Sequence, residues 1–258
     1  MPSGDSSFQA IDRAFLVLET VAHTGSMSLA ELHKTLQINK PSLSRIVQAL
    51  CDNGYLLRDE KAGTFALSLK AFEVGVHAVR SLNYMALIKS VLKELSTELG
   101  VIAQFSVEDN NELLCLESID VNNTGFSVYT RVGERSSLYS TSAGKALLSV
   151  LTNDEILQKF EKMTIRQLTP NTITTSDALL QDIARTRTRG YALDLEENEP
   201  GLFCIGVPLM GYNGTPLGAI SLSVKVMTPE VEKRLGEALL RATQRLSNVG
   251  LCHSLISI

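Results

Sequence analysis

Apolar residues recur at helical spacing in three successive segments at the start of the chain. The first segment covers residues 8–22 and stops at Gly25. The second, LAELHKTL, follows Ser28, and Glu31 gives it the Ser-x-x-Glu form of a capping box. The third contains Pro41, which suits a first helical turn, and an apolar stripe across residues 43–50. The pattern predicts three helices, with about four residues joining the second to the third.

Two short strand-like runs follow, at residues 55–58 and 64–67, on either side of the polar sequence DEKAG. Runs of this kind around a turn containing glycine predict a β-hairpin. Helix, helix, turn, helix and hairpin, in this order and within about 70 residues, are typical of a winged helix-turn-helix. In that module the helix after the turn enters the major groove of DNA.

The pattern from residue 69 to residue 99 is helical and free of proline, and it predicts a connecting helix at 70–82 and a second helix at 84–99, ended by Gly100. Strand-like and helical runs then alternate. We expect strands at 101–107, 113–119, 126–131, 191–195, 203–210 and 217–226, and helices at 142–151, 154–162, 176–190 and 229–246. Strands in hairpins with helices between them favour an α+β domain of the GAF or PAS kind.

The amino-acid composition excludes several classes of protein. The 258 residues are 44% hydrophobic and 20% charged, with a net charge of −4, which is ordinary for a globular protein and excludes a globally basic coat for nucleic acid. Four cysteines without ligand spacing predict neither a disulfide framework nor a metal site, and we expect no cofactor. The chain has no apolar run long enough to span a membrane and no signal peptide, so we expect a cytoplasmic protein.

Local charge around the second and third helices favours DNA as a partner. Residues 32–51 contain three basic residues and no acidic one. We assign the exposed face of the third helix to base edges, with Arg45 able to bind guanine in a bidentate way. Two lysines would contact phosphates, and one at the hairpin tip either reaches the DNA backbone or minor groove or stays solvated. The candidates are Ser42, Ser44, Arg45 and Gln48 for bases, Lys34 and Lys40 for phosphates, and Lys61 at the tip. The alternative is an ordinary helical hairpin inside a larger core.

One module has too little surface for strong sequence selectivity, so we expect a dimer that reads two half-sites roughly 34 Å or a multiple apart. The segment 70–99 is a candidate dimer element, because its apolar positions fit one helix face. These positions are Phe72, Val76, Val79, Leu82, Leu87, Val91, Leu92 and Leu95. The alternative is that this face packs on the second domain of its own chain.

Several motifs together resemble an IclR-type transcriptional regulator. They are LAELHKTLQINKPSLSRIVQAL, NGYLLRD and LSLKAFEVG in the first third, then RVGERSSLYSTSAGKALLS, RTRGYALDLEENEPGLFCIGVPL and GTPLGAISLSV. The resemblance covers nearly the whole chain. It implies a winged helix-turn-helix at 8–70 after a disordered stretch at 1–7, a linker helix at 71–83 and a GAF-like effector domain at 84–258. It also implies dimers, often paired into tetramers, and control of genes for small-molecule catabolism, often that of carboxylic acids.

The residues themselves offer two polar walls for a small-molecule pocket. Hydroxyl residues precede the helix that begins near Ser142, and free N–H groups there suit a carboxylate; the alternative is an ordinary cap followed by close packing. The strand at 217–226 places Ser221 and Ser223 on one face and apolar residues on the other. Asp194 is placed to accept hydrogen bonds from a ligand. Cys204 is typical of a small buried group rather than of a reactive thiol.

The resemblance implies that seven positions line the effector site. They are Ser142, Ala143, Asp194, Leu202, Cys204, Ser221 and Ser223. The chain departs from the family at Ser136-Ser137, where an apolar residue and a proline are usual. A more polar rim favours a hydroxylated or sugar-derived acid as the effector.

An enzyme is the alternative from a different class, namely a GAF-like hydrolase fused to a DNA-binding module. None of the four histidines lies within the C-terminal motifs, so no Ser/His or Cys/His dyad is visible there. Nucleophile-elbow, Walker A and dinucleotide-binding motifs are absent from the sequence. We also considered a DNA-architectural protein without a ligand. The sequence predicts a DNA-binding regulator, a repressor rather than an activator, whose affinity for a double-stranded operator depends on an organic acid, and not an enzyme.

Overall fold

The structure is a computed structural model that describes residues 6–80, 84–121, 132–211 and 214–248. The chain divides into two compact units, Met1–Leu82 and Asn83–Ile258. Of the residues expected to be disordered, 1–5 lie outside the described part. Ser6 and Ser7 belong to the first helix, so the expectation is wrong for these two.

The first unit is a three-helix module with a small antiparallel sheet and a further helix. Its elements in chain order are α1 Ser6–Thr24, β1 Ser26–Ser28, α2 Leu29–Leu36, α3 Lys40–Asp52, β2 Leu56–Asp59, β3 Thr64–Leu67 and α4 Leu69–Arg80. The sheet order is β1-β3-β2. Val17, Leu32, Leu43 and Val47 meet in the core, one or two from each of the first three helices. The predicted winged helix-turn-helix is therefore present.

Strand β1 is an element that the sequence pattern missed. Its three residues show no alternation long enough to recognise, and we expected only a helix stop at Gly25 and Ser26. The strand exists because Met27 is buried and pairs with Phe65 of β3 in an antiparallel register. It adds a third strand to the predicted hairpin.

The second unit is a six-stranded antiparallel sheet with helices on both faces. Its elements are α5 Met85–Leu99, β4 Ile102–Asp109, β5 Glu112–Ile119, β6 Arg135–Ser137, α6 Ser142–Leu148, α7 Asn153–Lys162, α8 Ser176–Arg189, β7 Ala192–Leu195, β8 Phe203–Met210, β9 Pro216–Val224 and α9 Pro229–Asn248. The strand order is β6-β5-β4-β9-β8-β7.

The two faces of this sheet carry separate cores. Helices α5 and α9 cover one face, where Phe105, Ile220 and Leu222 are fully buried. Helices α6 and α8 cover the other face, where Ala219 of β9 is part of the buried core. Because successive side chains of a strand point to opposite faces, the alternation predicted for residues 217–226 is confirmed over the observed strand.

Several boundaries differ from the sequence prediction. Helix α6 ends at Leu148 rather than 151, and β9 runs from Pro216 to Val224 rather than from 217 to 226. The short edge strand β6 was not predicted. The strand predicted at 126–131 lies outside the described residues.

The proposed dimer face between residues 70 and 99 is only partly available. On α5, Val91, Leu92 and Leu95 are buried in the core of their own unit, so the prediction of a dimer face is wrong for this helix. Leu87 packs against the same core. On α4, Phe72 remains 70% exposed and Val76 is half-buried. The side chain of Val79 and residue Leu82 lie outside the described part.

Candidate functional site

The joint between α2 and α3 is fixed by local hydrogen bonds. The side chain of Asn39 accepts the N–H of Ser42 at 3.0 Å and so caps α3. Gln37 adopts a left-handed conformation with φ 52°, and its N–H donates to the carbonyl of His33. The ring Nδ1 of His33 lies 2.6 Å from the carbonyl oxygen of Ile38. The sequence pattern predicts this joint but indicates neither cap.

The outer face of α3 carries the residues that we assigned to DNA bases. Leu43, Val47 and Leu50 point into the core, whereas Ser44, Arg45 and Gln48 are exposed and Ser42 is half-buried. Arg45 has no hydrogen bond or ion pair with any other described residue, so its guanidinium is available to a partner. The amide of Gln48 donates one N–H to Asp52 Oδ1 at 2.7 Å, which leaves its second N–H and its carbonyl oxygen for a base.

The three lysines assigned to phosphates and to the hairpin tip are all exposed. Lys34 lies in the last turn of α2 and Lys40 at the start of α3. Lys61 lies in the β2–β3 turn, where its N–H donates to Asp59 Oδ1 at 2.9 Å. Arg58, which the sequence analysis did not single out, lies near the same turn over the ring of Phe65. All seven candidates therefore belong to the first unit, with at least partly accessible side chains.

A cavity lies against the sheet of the second unit, on the side covered by α6. We call it the ligand cavity. All seven residues that the resemblance assigned to an effector site lie in its wall. The remaining lining residues are Gln104, Ser106, Leu113, Cys115, Glu134, Arg135, Ser136, Thr141 and Asn198. The cavity offers about 80 Å³ to the centres of water-sized molecules. Since one water needs about 10–15 Å³ on this measure, the cavity has room for on the order of six waters.

Two glycines allow close backbone packing at the first turn of α6, Gly206 between the helix and the sheet and Gly144 against the preceding turn at Leu138. A Cβ atom on Gly206 of β8 would lie 2.8 Å from the carbonyl carbon of Ser142, and a Cβ on Gly144 would lie 2.3 Å from the carbonyl oxygen of Leu138. Thr141 caps the helix through the N–H of Gly144 at 3.2 Å. The cap and the close packing that we weighed as an alternative are therefore present. Ser142 and Ala143 line the cavity as well, so the two interpretations do not exclude each other.

Asp194 is the buried acid of the cavity wall, with 1% of its surface exposed. Its Oδ1 accepts the N–H groups of Glu197 at 2.7 Å and Asn198 at 3.3 Å. Burial raises the pKa of this carboxyl to about 7, and the charge of Glu197 adds to the effect. The backbone N–H groups and the charge of Lys145 lower the pKa but do not offset burial.

The strands beside Asp194 carry small thiol and hydroxyl groups, and Cys204 of β8 is the direct register partner of Asp194. Cys204 is buried, its Sγ lies 3.2 Å from Ser223 Oγ, and burial raises the pKa of the thiol. A thiol that stays protonated is a poor nucleophile, as expected for a structural cysteine. Ser221 and Ser223 project from β9 on the face opposite Ile220 and Leu222.

A buried ion cluster next to the cavity was missed by the sequence analysis. Lys145 is completely buried in α6, and its Nζ lies 2.5 Å from Glu197 Oε1 and 3.0 Å from Asp182 Oδ2. We call these three residues the Lys145 cluster. A lysine within the apolar helix SAGKALL is a sequence signal for such a site, but its acidic partners lie 37 and 52 positions away and cannot be assigned from the sequence.

The residues after β7, from 196 to 202, form a loop that covers one side of the cavity. Asn198 and Leu202 line the cavity from this loop. Thr172 Oγ1 donates to the carbonyl of Glu197 at 2.7 Å, and Ser140 Oγ donates to Asn198 Oδ1 at 3.0 Å. The loop is therefore held in place from several sides.

The rim of the cavity is polar. Ser136 lines it, whereas Ser137 Oγ lies 2.5 Å from Ser140 Oγ and does not face the cavity wall. Arg135 also lines the rim, where its guanidinium pairs with Asp109 and lies 3.6 Å from Glu112. Within the described part of the chain, no group of three or more His, Cys, Asp or Glu side chains is placed to hold a metal ion. No described helix is long and apolar enough to cross a membrane.

Comparison with known proteins gives two matches to family profiles. Residues 10–60 match the IclR helix-turn-helix domain, and residues 76–248 match the C-terminal domain of the bacterial transcriptional regulator IclR. The chain is 29% identical to the HTH-type transcriptional regulator KdgR of Escherichia coli (strain K12), over 90% of this chain and 87% of that protein. It is 24% identical to the transcriptional repressor IclR of the same organism, over 93% and 89% of the two chains.

Solved structures agree on the fold. The Thermotoga maritima IclR structure gives a TM-score of 0.78 at 24% identity and covers 93% of this chain and 98% of that one. The IclR regulator of Alicyclobacillus acidocaldarius gives 0.80 at 19% identity, with 93% and 98% covered. The predicted fold class, a winged helix-turn-helix joined to an α+β effector-type domain, is confirmed. The matching proteins are transcriptional regulators rather than enzymes, as predicted.

Proposed function

Because the chain belongs to the IclR family of bacterial transcriptional regulators, we propose that it represses its target genes and that a small organic acid in the ligand cavity controls its affinity for the operator. The family makes it a DNA-binding transcriptional regulator. Repression, the operator contacts and the ligand are our proposal. Repression is supported by relatives such as the repressors YiaJ and IclR of Escherichia coli.

The observation that supports the ligand proposal is that all seven residues assigned to an effector site from the family resemblance line one cavity. These residues come from α6, β7, β8, β9 and the loop before β8. The two that are farthest apart in the sequence, Ser142 and Ser223, are separated by 81 positions. Hydroxyl groups and Asp194 dominate the polar part of the wall. A pocket of this size with several polar groups suits a small hydroxylated acid rather than a large aromatic compound.

For DNA, we propose that α3 enters the major groove with Arg45 at a guanine and Ser42, Ser44 and Gln48 near it. Lys34 and Lys40 would contact phosphates, and Lys61 would reach the backbone beside the groove. Two copies of the chain would read two half-sites, as dimers or as dimers paired into tetramers, in the cytoplasm where the operator is located. A hydrolase receives no support from the matching proteins, none of which is an enzyme.

The first test is a gel-shift assay with DNA upstream of the encoding gene and with random DNA of equal length. We expect preferential binding to the upstream DNA. The second test is thermal shift of the full chain with a panel of hydroxylated carboxylic acids, followed by gel shift with each acid that binds. A ligand should change operator affinity about 5- to 150-fold, the usual range for coupled sites. Binding of aromatic hydrocarbons alone would contradict the proposed ligand class.

A further inference from the structure

The carboxyl group of Asp194 offers one free oxygen to the ligand cavity. Both hydrogen bonds that it accepts go to Oδ1, from the N–H groups of Glu197 and Asn198. Oδ2 has no hydrogen-bond partner among the described residues, although the side chain is 1% exposed and lines the cavity. Oδ2 is open to the cavity rather than sealed in the core, so a ligand in the cavity can bind to it.

The charges around Asp194 do not favour a second negative charge. The charged groups that act on Asp194 directly are Lys145 of α6 and Glu197 of the covering loop. Cys204 of β8 lies beside Asp194, Glu199 of the covering loop acts on Cys204, and Asp182 of α8 lies beyond Lys145. Lys145 is already in contact with two carboxylates, Glu197 and Asp182. Across the cavity, Glu134 adds an acidic group, and Arg135 is paired with Asp109 and Glu112.

A ligand carboxylate beside an ionised Asp194 would therefore lack a cation of its own. Two carboxyl groups in one site avoid this repulsion by sharing one proton, which then forms a hydrogen bond between them. The burial of Asp194 favours its neutral form and brings its pKa to about 7, so the proton is available at physiological pH at little cost.

We propose that the ligand cavity binds a carboxylate together with one proton, which Asp194 carries on Oδ2 and donates to the ligand. The proton comes from solvent, and no bond other than O–H is made or broken. This inference rests on the proposed organic-acid effector and adds the regulation of its site. The affinity for the ligand falls as the pH rises above about 7, approaching tenfold per pH unit for one linked proton.

The experiment measures binding of D-gluconate, acetate and D-glucitol to the full chain by calorimetry between pH 6 and 8.5. We expect gluconate and acetate to bind more tightly at pH 6 than at pH 8, with uptake of about one proton per ligand above pH 7, measured in two buffers of different ionisation enthalpy. Glucitol, which has hydroxyl groups but no carboxylate, should bind more weakly than gluconate at pH 6.

Asp194→Asn is the diagnostic variant, because the amide keeps an oxygen for the two backbone N–H groups and presents a permanent donor to the cavity. We expect gluconate binding in this variant to be independent of pH, while the exposed control Asp177→Asn keeps the wild-type pH profile. If the variant does not fold, the number of protons that the wild type takes up per ligand still tests the proposal.

Three results would overturn the proposal: gluconate binding that is independent of pH in the wild type, glucitol binding as tight as gluconate, or no carboxylate binding at pH 6. Operator binding in the gel shift is scored separately, on protein without ligand. A chain that selects its operator but binds no carboxylate would retain the DNA-binding function and lose only the proton-linked site.

Discussion

Replacing Lys145 with methionine removes a buried positive charge from between Asp182 and Glu197. Methionine is close to lysine in side-chain length, so the surrounding packing is kept. Asp182 and Glu197, however, lose an ion-pair partner at 3.0 and 2.5 Å, respectively. Glu197 is the more affected, because it has no second ion-pair partner among the described residues and burial raises its pKa. Asp182 keeps Arg185, whose Nη2 lies 3.3 Å from Oδ1.

Removal of one member of a buried ion pair costs about 3–5 kcal/mol, because the remaining charge stays in a poorly solvating environment. We expect Lys145→Met to lower the free energy of unfolding by about this amount at pH 8. The loss should shrink as the pH is lowered, because a protonated Glu197 no longer needs the ammonium group. The matched control is Lys89→Met. Lys89 is 64% exposed and lies 3.1 Å from Glu117, and loss of such a surface pair costs about 1 kcal/mol or less.

Urea-induced unfolding of the full chain, followed by circular dichroism at pH 8 and pH 5, measures both variants. Adding Glu197→Gln to Lys145→Met should recover part of the lost stability, since it removes the uncompensated charge. A loss below about 1 kcal/mol at pH 8, equal to that of the control and independent of pH, would refute the argument that the Lys145 cluster depends on its buried cation.

Three further predictions test other parts of the structure. Arg45→Ala should reduce the preference for operator over random DNA in a gel shift, whereas Lys40→Ala should weaken both complexes about equally; equal losses for Arg45→Ala would exclude it from base recognition. Gly206→Ala places a Cβ 2.8 Å from backbone atoms of Ser142, so it should lower the free energy of unfolding by about 1–3 kcal/mol and abolish ligand-induced thermal shifts. The control Gly75→Ala, at an exposed helical position, should leave the stability unchanged or increase it. Asp194 holds a proton up to about pH 7 when folded and loses it near pH 4 when unfolded, so stability should fall as pH rises between these values. This trend should be absent in Asp194→Asn, and a wild-type stability that is flat across that window would contradict the raised pKa.

Local chemistry allowed much of the fold to be predicted from the sequence. The capping box at Ser28 and Glu31 is present in the structure, and Gly100 and Gly190 end their helices in left-handed conformations as expected. These signals depend on residues within one turn of each other. Strands β1 and β6 have three residues each and exist because a longer partner strand is beside them, so no local pattern predicts them.

The candidate site was likewise predictable only in part. The position of Ser221 and Ser223 on one face of β9 follows from strand alternation alone, and the family resemblance pointed to the other wall residues. The Lys145 cluster could not be predicted, because its three members meet only after α6, α8 and the covering loop have assembled. The stretch 32–51 that is free of acidic residues ends one residue before Asp52, so it gives no indication of the hydrogen bond from Gln48 to Asp52.

Strand β9 divides two tasks between its odd and even positions. Ile220 and Leu222 are fully buried under α5 and α9, whereas Ser221 and Ser223 line the cavity on the other face. Under the proposed function, a mutation at Ser221 or Ser223 would change the wall that selects the ligand while Ile220 and Leu222 continue to hold the sheet together. Descendants of one ancestral regulator could acquire new inducers by such changes and keep the same architecture, which makes the serine positions suitable targets for laboratory redesign of ligand response.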